Sequence, residues 1–331
     1  MIDLATIIAA PKIIPTTGHL TARDRWDHFL ARVGLKRGEH RLEPGLYALG
    51  NPTPDSPVFV TANYTLSFDA LRSALEGIDG YILVLDTKGI NVWCAAGKGT
   101  FGTDEIVRRV MITRLGEVVK HRKLILPQLG APGVAAHEVK KRTGFWVEYG
   151  PVRALDLPEY LKTHEATPEM RRVEFPLRDR LVLIPVDIVQ TFLPTLLAAV
   201  VLYFLGGWIS SLAAVTAVFA GIVLFPILLP WLPTHNFSTK GFILGGLAAL
   251  PFALSAFLRH PGWAWWHQVG QALEFLLAMP AVTAFLALNF TGSTTFTSRS
   301  GVKREMFASI PAMAWTFGIG ILLAVVFVFI R

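Results

Sequence analysis

Residues 89–102 read GINVWCAAGKGTFG and hold the only cysteine of the 331-residue chain, Cys94, together with a glycine triplet at Gly97, Gly99 and Gly102. Two chemistries compete for such a stretch. A GxGxxG turn that opens a helix cradles the pyrophosphate of a dinucleotide. A thiol in the first turn of a helix is shifted toward thiolate, the form that attacks electrophiles and binds metals. The spacing disfavours the nucleotide. Its fingerprint wants the first glycine directly after a strand, whereas the apolar run 80–87 ends well short of Gly97. No acidic residue closes the next strand either, since Glu117 falls on a predicted helix. A P-loop fails because Val92 stands where its first glycine belongs and Gly99 where its serine or threonine belongs.

The thiol reading fits the local sequence better. Asn91 is a good N-cap, Val92, Trp93, Cys94, Ala95 and Ala96 can form a short helical turn, and Gly97 can end it. Cys94 then sits at the positive end of the turn with Lys98 near. The alternative, a lone cysteine packed as a small hydrophobe, stays open on these residues alone. One thiol per chain rules out an intrachain disulfide and an iron–sulfur cluster held by this chain alone. The nine histidines show neither HxxH nor HxxxH spacing, so no zinc site is expected.

The elements that must position this loop follow from an alternation of apolar runs and helical patterns. A helix is predicted around 24–33, where Trp26, Phe29, Leu30 and Val33 recur at helical spacing. Strands are predicted over 57–64, 80–87, 123–130 and 144–152. Helices are predicted over 67–76, with Ser67 as N-cap, over 103–119 and over 134–141. Unbroken Val/Ile/Leu strands between helices indicate a parallel sheet covered on both faces, an α/β Rossmann-like domain. Ligands of such sheets bind at the carboxyl ends of the strands. Here those ends are Asn63, Asp86-Thr87-Lys88, Gln128-Leu129-Gly130 and Tyr149-Gly150.

The charges divide the chain. Residues 1–180 carry 25 Lys/Arg and 21 Asp/Glu, residues 181–331 only 6 and 3. The first part is globular in composition and the second reads as membrane. The expected organisation is a ligand-binding α/β domain over 1–165, a basic linker over 166–182 and an all-α transmembrane domain with five helices over 183–331. The five apolar stretches are 184–205, 208–230, 241–258, 269–289 and 308–330, and each includes proline. Arg171, Arg172, Arg178, Arg180, Lys240, Arg299, Lys303 and Arg304 fall on one side of such a bundle, Arg259 and Arg331 on the other. The positive-inside rule then places the first domain in the cytoplasm and the C-terminus outside a cytoplasmic membrane. The start, MIDLATIIAAPKIIP, lacks the basic flank of a signal peptide. Glu274 lies inside the fourth stretch, Asp187 at the inner edge of the first, and Trp263, Trp265 and Trp266 form an aromatic belt. The net charge of +7 forms no basic stripe with interleaved aromatics, so nucleic acid is not an expected partner.

NVWCAAGK at 91–98 resembles the signature of the HgcA family, membrane-bound corrinoid proteins of mercury methylation related to corrinoid subunits of the acetyl-CoA pathway. The resemblance extends to PGLYALGNP (44–52), VTANY (60–64), LDTKGINVWCAAGKGTFGT (85–103), LPQLGAPGVAAHEVKK (126–141) and YGPVRA (149–154). It implies a corrinoid held base-off beside a cap helix, with the Cys94 thiolate as lower axial ligand to cobalt and the residue on which activity depends. Asn91 and Trp93 would shape and cap that helix, with Val92 and Ala95 completing the turn, and Gly97, Lys98 and Gly99 would border the macrocycle. A wide corrin rimmed with amides needs polar partners, for which Thr61, Asn63, Thr87, Thr100, Gln128 and His137 are candidates, with Gly130 and Tyr149 at the same strand ends. The implied activity is methyl transfer to Hg(II), giving methylmercury. The implied partners are an HgcB-like ferredoxin with [4Fe–4S] clusters as electron donor and a methyltransferase that supplies the methyl group. The rivals are a corrinoid methyltransferase with another acceptor and a membrane corrinoid-binding or transport protein without chemistry.

Overall fold

Short runs of four to six residues become the strands of one six-stranded sheet: β1 (Ile13–Thr16), β2 (Gly45–Leu49), β3 (Val58–Ala62), β4 (Gly80–Leu85), β5 (Lys123–Leu126) and β6 (Trp146–Tyr149), ordered β1-β2-β4-β3-β5-β6. The computed structural model describes residues 10–36, 38–259, 261–294 and 298–329, so Arg331 and residues 1–9 lie outside the described residues. The chain forms two compact units, one holding residues up to 31 and 35–173, the other 32–34 and the chain from 174 onward.

In the first unit β3 to β6 are the four predicted strands and run parallel to one another. β2 is antiparallel to β4, with Tyr47 opposite Ile82, and β1 adds to it in parallel. The sheet is therefore mixed rather than wholly parallel. β4 is buried along its whole length between β2 and β3, which is why its sequence is apolar without alternation.

The helices of this unit are α1 (Ala22–Arg32), α2 (Thr65–Ala74), α3 (Val92–Lys98), α4 (Thr103–Ile112), α5 (Leu115–Val118), α6 (Ala136–Thr143), α7 (Leu157–Thr163) and α8 (Pro168–Arg171). Two short 3-10 turns intervene at Gln128–Gly133 and Ala154–Asp156. One face of the sheet packs through Val60, Leu83 and Leu85 onto Ala95, Phe101 and Ile106. The other packs through Phe59, Ile82 and Val84 onto Phe68, Leu75 and Tyr160. Two expectations change. α2 starts at Thr65, with Tyr64 at the cap position and no side-chain cap, so Ser67 lies inside the helix. The helix predicted over 103–119 divides at Arg114, whose φ of +52° breaks it into α4 and α5.

The second unit is helical: α9 (Leu177–Leu181), α10 (Ile184–Phe219), a π-turn at Ala220–Leu224, α11 (Phe225–Leu228), α12 (Phe237–Arg259), α13 (Trp265–Asn289), a 3-10 turn at Phe290–Ser293 and α14 (Arg299–Phe329). Among the described residues it contains four helical runs long and apolar enough to cross a membrane, the first extending over 52 residues, Leu177–Leu228. The sequence predicts five. The difference lies at Gly207, whose φ of +80° and ψ of −176° interrupt α10 without a loop. Thr195 and Val218 line one cavity and Val201 and Ser210 another, so the run doubles back there and its two limbs lie side by side. No polar connector separates the limbs, which is why helix continues through both apolar stretches. α12 and α13 approach closely because Gly241 and Gly245 are glycines: a Cβ would stand 2.5 Å from Ala284 Cα and 2.6 Å from Pro280 Cα. Arg180 Nη1 donates to the carbonyls of Pro226 and Ile227, both at 2.7 Å, and Lys240 Nζ to that of Leu229 at 2.8 Å, capping the end of α11.

Two carboxylates tie the edges of the first unit. Burial lifts the pKa of Asp24, but the Thr21 N–H and the Arg72 guanidinium (2.8 Å) outweigh it and hold the group below its ordinary 3.8. Burial likewise opposes Glu148, yet hydrogen bonds from Tyr160, His164 and Lys123 hold it below 4.5. A folded pKa below the unfolded one gives stability that is complete above the ordinary value and lost as pH falls through the lowered one. The first unit should therefore loosen as pH falls below the ordinary carboxylate range, read by near-ultraviolet circular dichroism of the whole protein. Glu148→Gln should weaken that acid dependence; an unchanged profile would show that Glu148 contributes nothing to it.

Candidate functional site

α3 is seven residues long and is fixed at both ends. Asn91 is extended (φ −63°, ψ 161°), and its Oδ1 accepts the backbone N–H of Cys94 at 2.9 Å. Gly99, at φ +81°, closes the helix in the left-handed conformation, so the helix runs on through Gly97 and Lys98 rather than ending at Gly97. Val92, Ala95 and Ala96 are buried, which turns Asn91, Cys94, Gly97 and Lys98 to the opposite face. Asn91, Gly97 and Lys98 are exposed there; Cys94 and the flanking Trp93 are half-buried.

The glycines around α3 do different work. A Cβ on Gly133 would stand 2.2 Å from the Phe101 carbonyl oxygen and 3.1 Å from Ala96 Cα, so the 3-10 turn can press on the buried side of α3 only as glycine. A Cβ on Gly130 would meet the Phe101 ring at 2.5 Å. Gly97 is the opposite case. Nothing lies within 4 Å of the place its Cβ would take, and its φ is not positive. Neither packing among the described residues nor backbone conformation accounts for glycine at this helical position, where alanine is favoured by about 1 kcal/mol.

The turn that launches α3 is held from below. Asn63 is 2% exposed, and its Oδ1 accepts the N–H of Thr87 (3.1 Å), the N–H of Gly89 (3.0 Å) and the Thr87 hydroxyl at 2.9 Å. Thr87 is fully buried, with its Oγ1 also 2.6 Å from the Ile90 carbonyl. Glu105 accepts the N–H of Asp86 at 2.9 Å while paired with Arg109. The structure thus places Asn63 and Thr87 beneath the loop, bonded to it, and not at a rim.

The strand order puts β3 between β4 and β5: the chain passes from β3 to β4 on one side and then crosses back over β3 to β5 on the other. That is a topological switch point, where open α/β sheets bind ligands. A cavity of about 320 Å³ opens there, lined by Thr61 of β3, by Pro127 and Leu129 after β5, and by Asn91, Val92 and Trp93 of the α3 segment. Ser67, Pro151 and Leu157 also line it. Sequence reasoning missed these last three and Pro127. Pro127 and Pro151 follow β5 and β6 in the chain, so the strand-end rule already pointed to them.

The remaining candidates lie around this region with partners of their own. Thr100 Oγ1 is 3.5 Å from the Ala95 carbonyl. Gln128 Oε1 accepts from Arg171 at 2.7 Å. His137 is exposed on α6, 3.8 Å from Glu138. The Tyr149 hydroxyl donates to the Val134 carbonyl at 2.9 Å, and burial pushes its pKa above the ordinary value, which keeps it a donor. Among the described residues no group of three or more His, Cys, Asp or Glu could hold a metal ion.

Residues 37–161 match the family model described as CO dehydrogenase/acetyl-CoA synthase delta subunit. The acetyl-CoA decarbonylase/synthase complex subunit gamma of Archaeoglobus fulgidus is 37% identical over 114 residues, 34% of this chain and 24% of that protein. The subunit of the same description from Methanopyrus kandleri is 34% identical over 128 residues, 38% of this chain and 27% of the relative. The corrinoid/iron-sulfur protein large subunit of Moorella thermoacetica is 30% identical over 129 residues, 38% and 28% of the two chains. The chain spans about a quarter of the length of these relatives. Through residues 37–161, the segment that holds β2 to β6 and α3, this chain is related to the corrinoid proteins of the acetyl-CoA pathway.

Proposed function

We propose that the first unit binds a corrinoid against the exposed face of α3, with Cys94 as lower axial ligand, and that the protein is a methyltransferase acting on Hg(II). The observation that carries this reading is the face shared by Cys94 and Gly97. A thiol stands one turn from a glycine that nothing among the described residues requires, with open space above it. A flat macrocycle can approach such a surface closely. A bound corrinoid supplies a cobalt that accepts a methyl group and releases it to an acceptor. The remaining work belongs to the chain. Asn91 fixes the backbone at Cys94, so the sulfur is presented from a capped turn. Lys98 adds a cation to the same face, and Thr61 and Trp93 line the cavity alongside. The similarity to the corrinoid/iron-sulfur protein large subunit of Moorella thermoacetica supports the cofactor class, and the HgcA-like signature supports the acceptor.

The Moorella thermoacetica relative is also an iron–sulfur protein. These 331 residues hold one cysteine, so electrons would come from a separate protein, an HgcB-like ferredoxin with [4Fe–4S] clusters, and the methyl group from a methyltransferase. A corrinoid methyltransferase with another acceptor uses the same face, and an anaerobic assay for methylmercury with reduced ferredoxin supplied separates the two. The apolar helices would hold the protein in the cytoplasmic membrane with the first unit inside, on the lysine and arginine asymmetry. Reporter fusions after α14 should report from outside; a cytoplasmic signal would require an even number of passes.

Gly97 and Gly133 make opposite predictions. Gly97→Ala should leave the cofactor-free protein as stable, or up to about 1 kcal/mol more so, while weakening corrinoid uptake. Gly133→Ala should destabilise it by about 1–3 kcal/mol. Thermal unfolding and corrinoid titration read both, and a Gly97→Ala protein with unaltered uptake would remove the glycine from the site.

Cys94→Ala should keep fold and membrane insertion, since alanine is a good helix former, and lose methyl transfer by more than about 100-fold, beyond what loss of outer-shell partners costs at metal sites. Cys94→His should retain a metal ligand but change the visible spectrum of the loaded protein differently from Cys94→Ala. A Cys94→Ala protein with the wild-type spectrum and full activity would show that the cysteine only packs.

A further inference from the structure

Among the described residues, three buried side-chain polar atoms have no hydrogen-bond partner: Arg180 Nε, His267 Nδ1 and Gln271 Oε1. Two of the three lie one helical turn apart on the same face of α13, inside a run apolar enough to cross a membrane. An unmatched polar atom is costly in any interior and more so in hydrocarbon, where no bulk water can satisfy it. Such groups are rare, and each calls for an absent partner.

The space for a partner is present. A cavity of about 330 Å³, within the range that holds small organic ligands, is lined by Gln271 and, one turn further along α13, by Glu274. Ser210 and Arg259 complete its polar wall, and Leu205 and Phe327 belong to its apolar one. Gln271 is 8% exposed. His267 sits a turn away, its ring stacked on Trp266 at 3.7 Å and 5.4 Å from the ring of Phe327.

The chemistry of the walls limits the occupant. Glu274 and Arg259 bring opposite charges to one cavity, so the ligand need not be ionic. A hydroxyl both donates and accepts, and so matches the Gln271 amide in either orientation and His267 in either tautomer. The first limb of α10 beside the cavity is apolar and outward-facing, with Phe204 81% exposed, so entry is from the lipid phase. We propose that this cavity binds a neutral, lipid-soluble ring compound bearing a hydroxyl, of the hydroquinone or phenol class, with the hydroxyl held by Gln271. The site is separate from the corrinoid reading and stands or falls without it.

The test uses the full-length protein in nanodiscs, kept anaerobic, with tetramethylhydroquinone as probe and its hydrocarbon parent, tetramethylbenzene, as control. The hydroquinone should raise the unfolding temperature saturably, and the hydrocarbon should bind at least about tenfold more weakly, the loss of one hydrogen bond to a buried acceptor. Gln271→Leu should bind the hydroquinone at least about tenfold more weakly, yet unfold without ligand at no lower temperature, because it removes an unmatched polar atom. If the leucine variant does not fold, Gln271→Met, which is unbranched like glutamine, takes its place. No saturable shift in the wild type, equal binding of the hydrocarbon, or unchanged affinity in the variant would each overturn the proposal.

Discussion

One side-chain oxygen sets the geometry of the site. Asn63 Oδ1, at the carboxyl end of β3, receives two backbone N–H groups and a hydroxyl from the turn between β4 and α3. These donors face an interior closed to solvent, where each unmatched group would destabilise the fold by about 1–3 kcal/mol. The loop is therefore bolted to the strand at the switch point of the sheet. α3 leaves that loop, is capped by Asn91, and is backed by a 3-10 turn that packs through two glycines. Cys94 inherits its position from this chain of backbone contacts. Its own side chain is left facing outward.

How much of this was legible depended on whether the rule involved was local. The strands β3, β4 and β5 were readable because burial on both faces removes polar alternation, and the Asn91 cap because capping acts over three residues. β2 was not. Its run, GLYAL, is short and lies between Pro44 and Gly50, and nothing in its composition specifies an antiparallel partner. Asn63 and Thr87 were found as strand-end polar residues, but a polar side chain there looks alike in sequence whether it faces a ligand or the backbone. The cavity required the strand order, with β3 between β4 and β5, and that order is a property of the whole sheet. The resemblance to corrinoid proteins pointed to the loop but carried no information on which of its polar groups are already taken.

In the second unit, polar groups on apolar helices fall into two kinds. Arg180 and Lys240 terminate a helix, donating to carbonyls that have no partner further along the chain. Thr283 donates to the Ala217 carbonyl at 2.9 Å and so links α13 to the second limb of α10. These groups are explained by the fold itself. His267 and Gln271 are not: neither the Nδ1 of the one nor the Oε1 of the other finds a partner among the described residues.

The fold-back at Gly207 bears on how the protein enters a bilayer. The connection reads Leu205-Gly206-Gly207-Trp208, with no charged residue and no polar loop. Each charge carried through the centre of a membrane raises the barrier to insertion by about 2.5–3.5 kcal/mol on the translocon scale. This tip carries none, whereas the link between α12 and α13 begins at Arg259. The two limbs can therefore cross together as a helical hairpin, its apex passing through hydrocarbon without stripping water from an ion. In a bilayer, an uncharged tip of this kind removes that obstacle to inserting the two limbs as one unit.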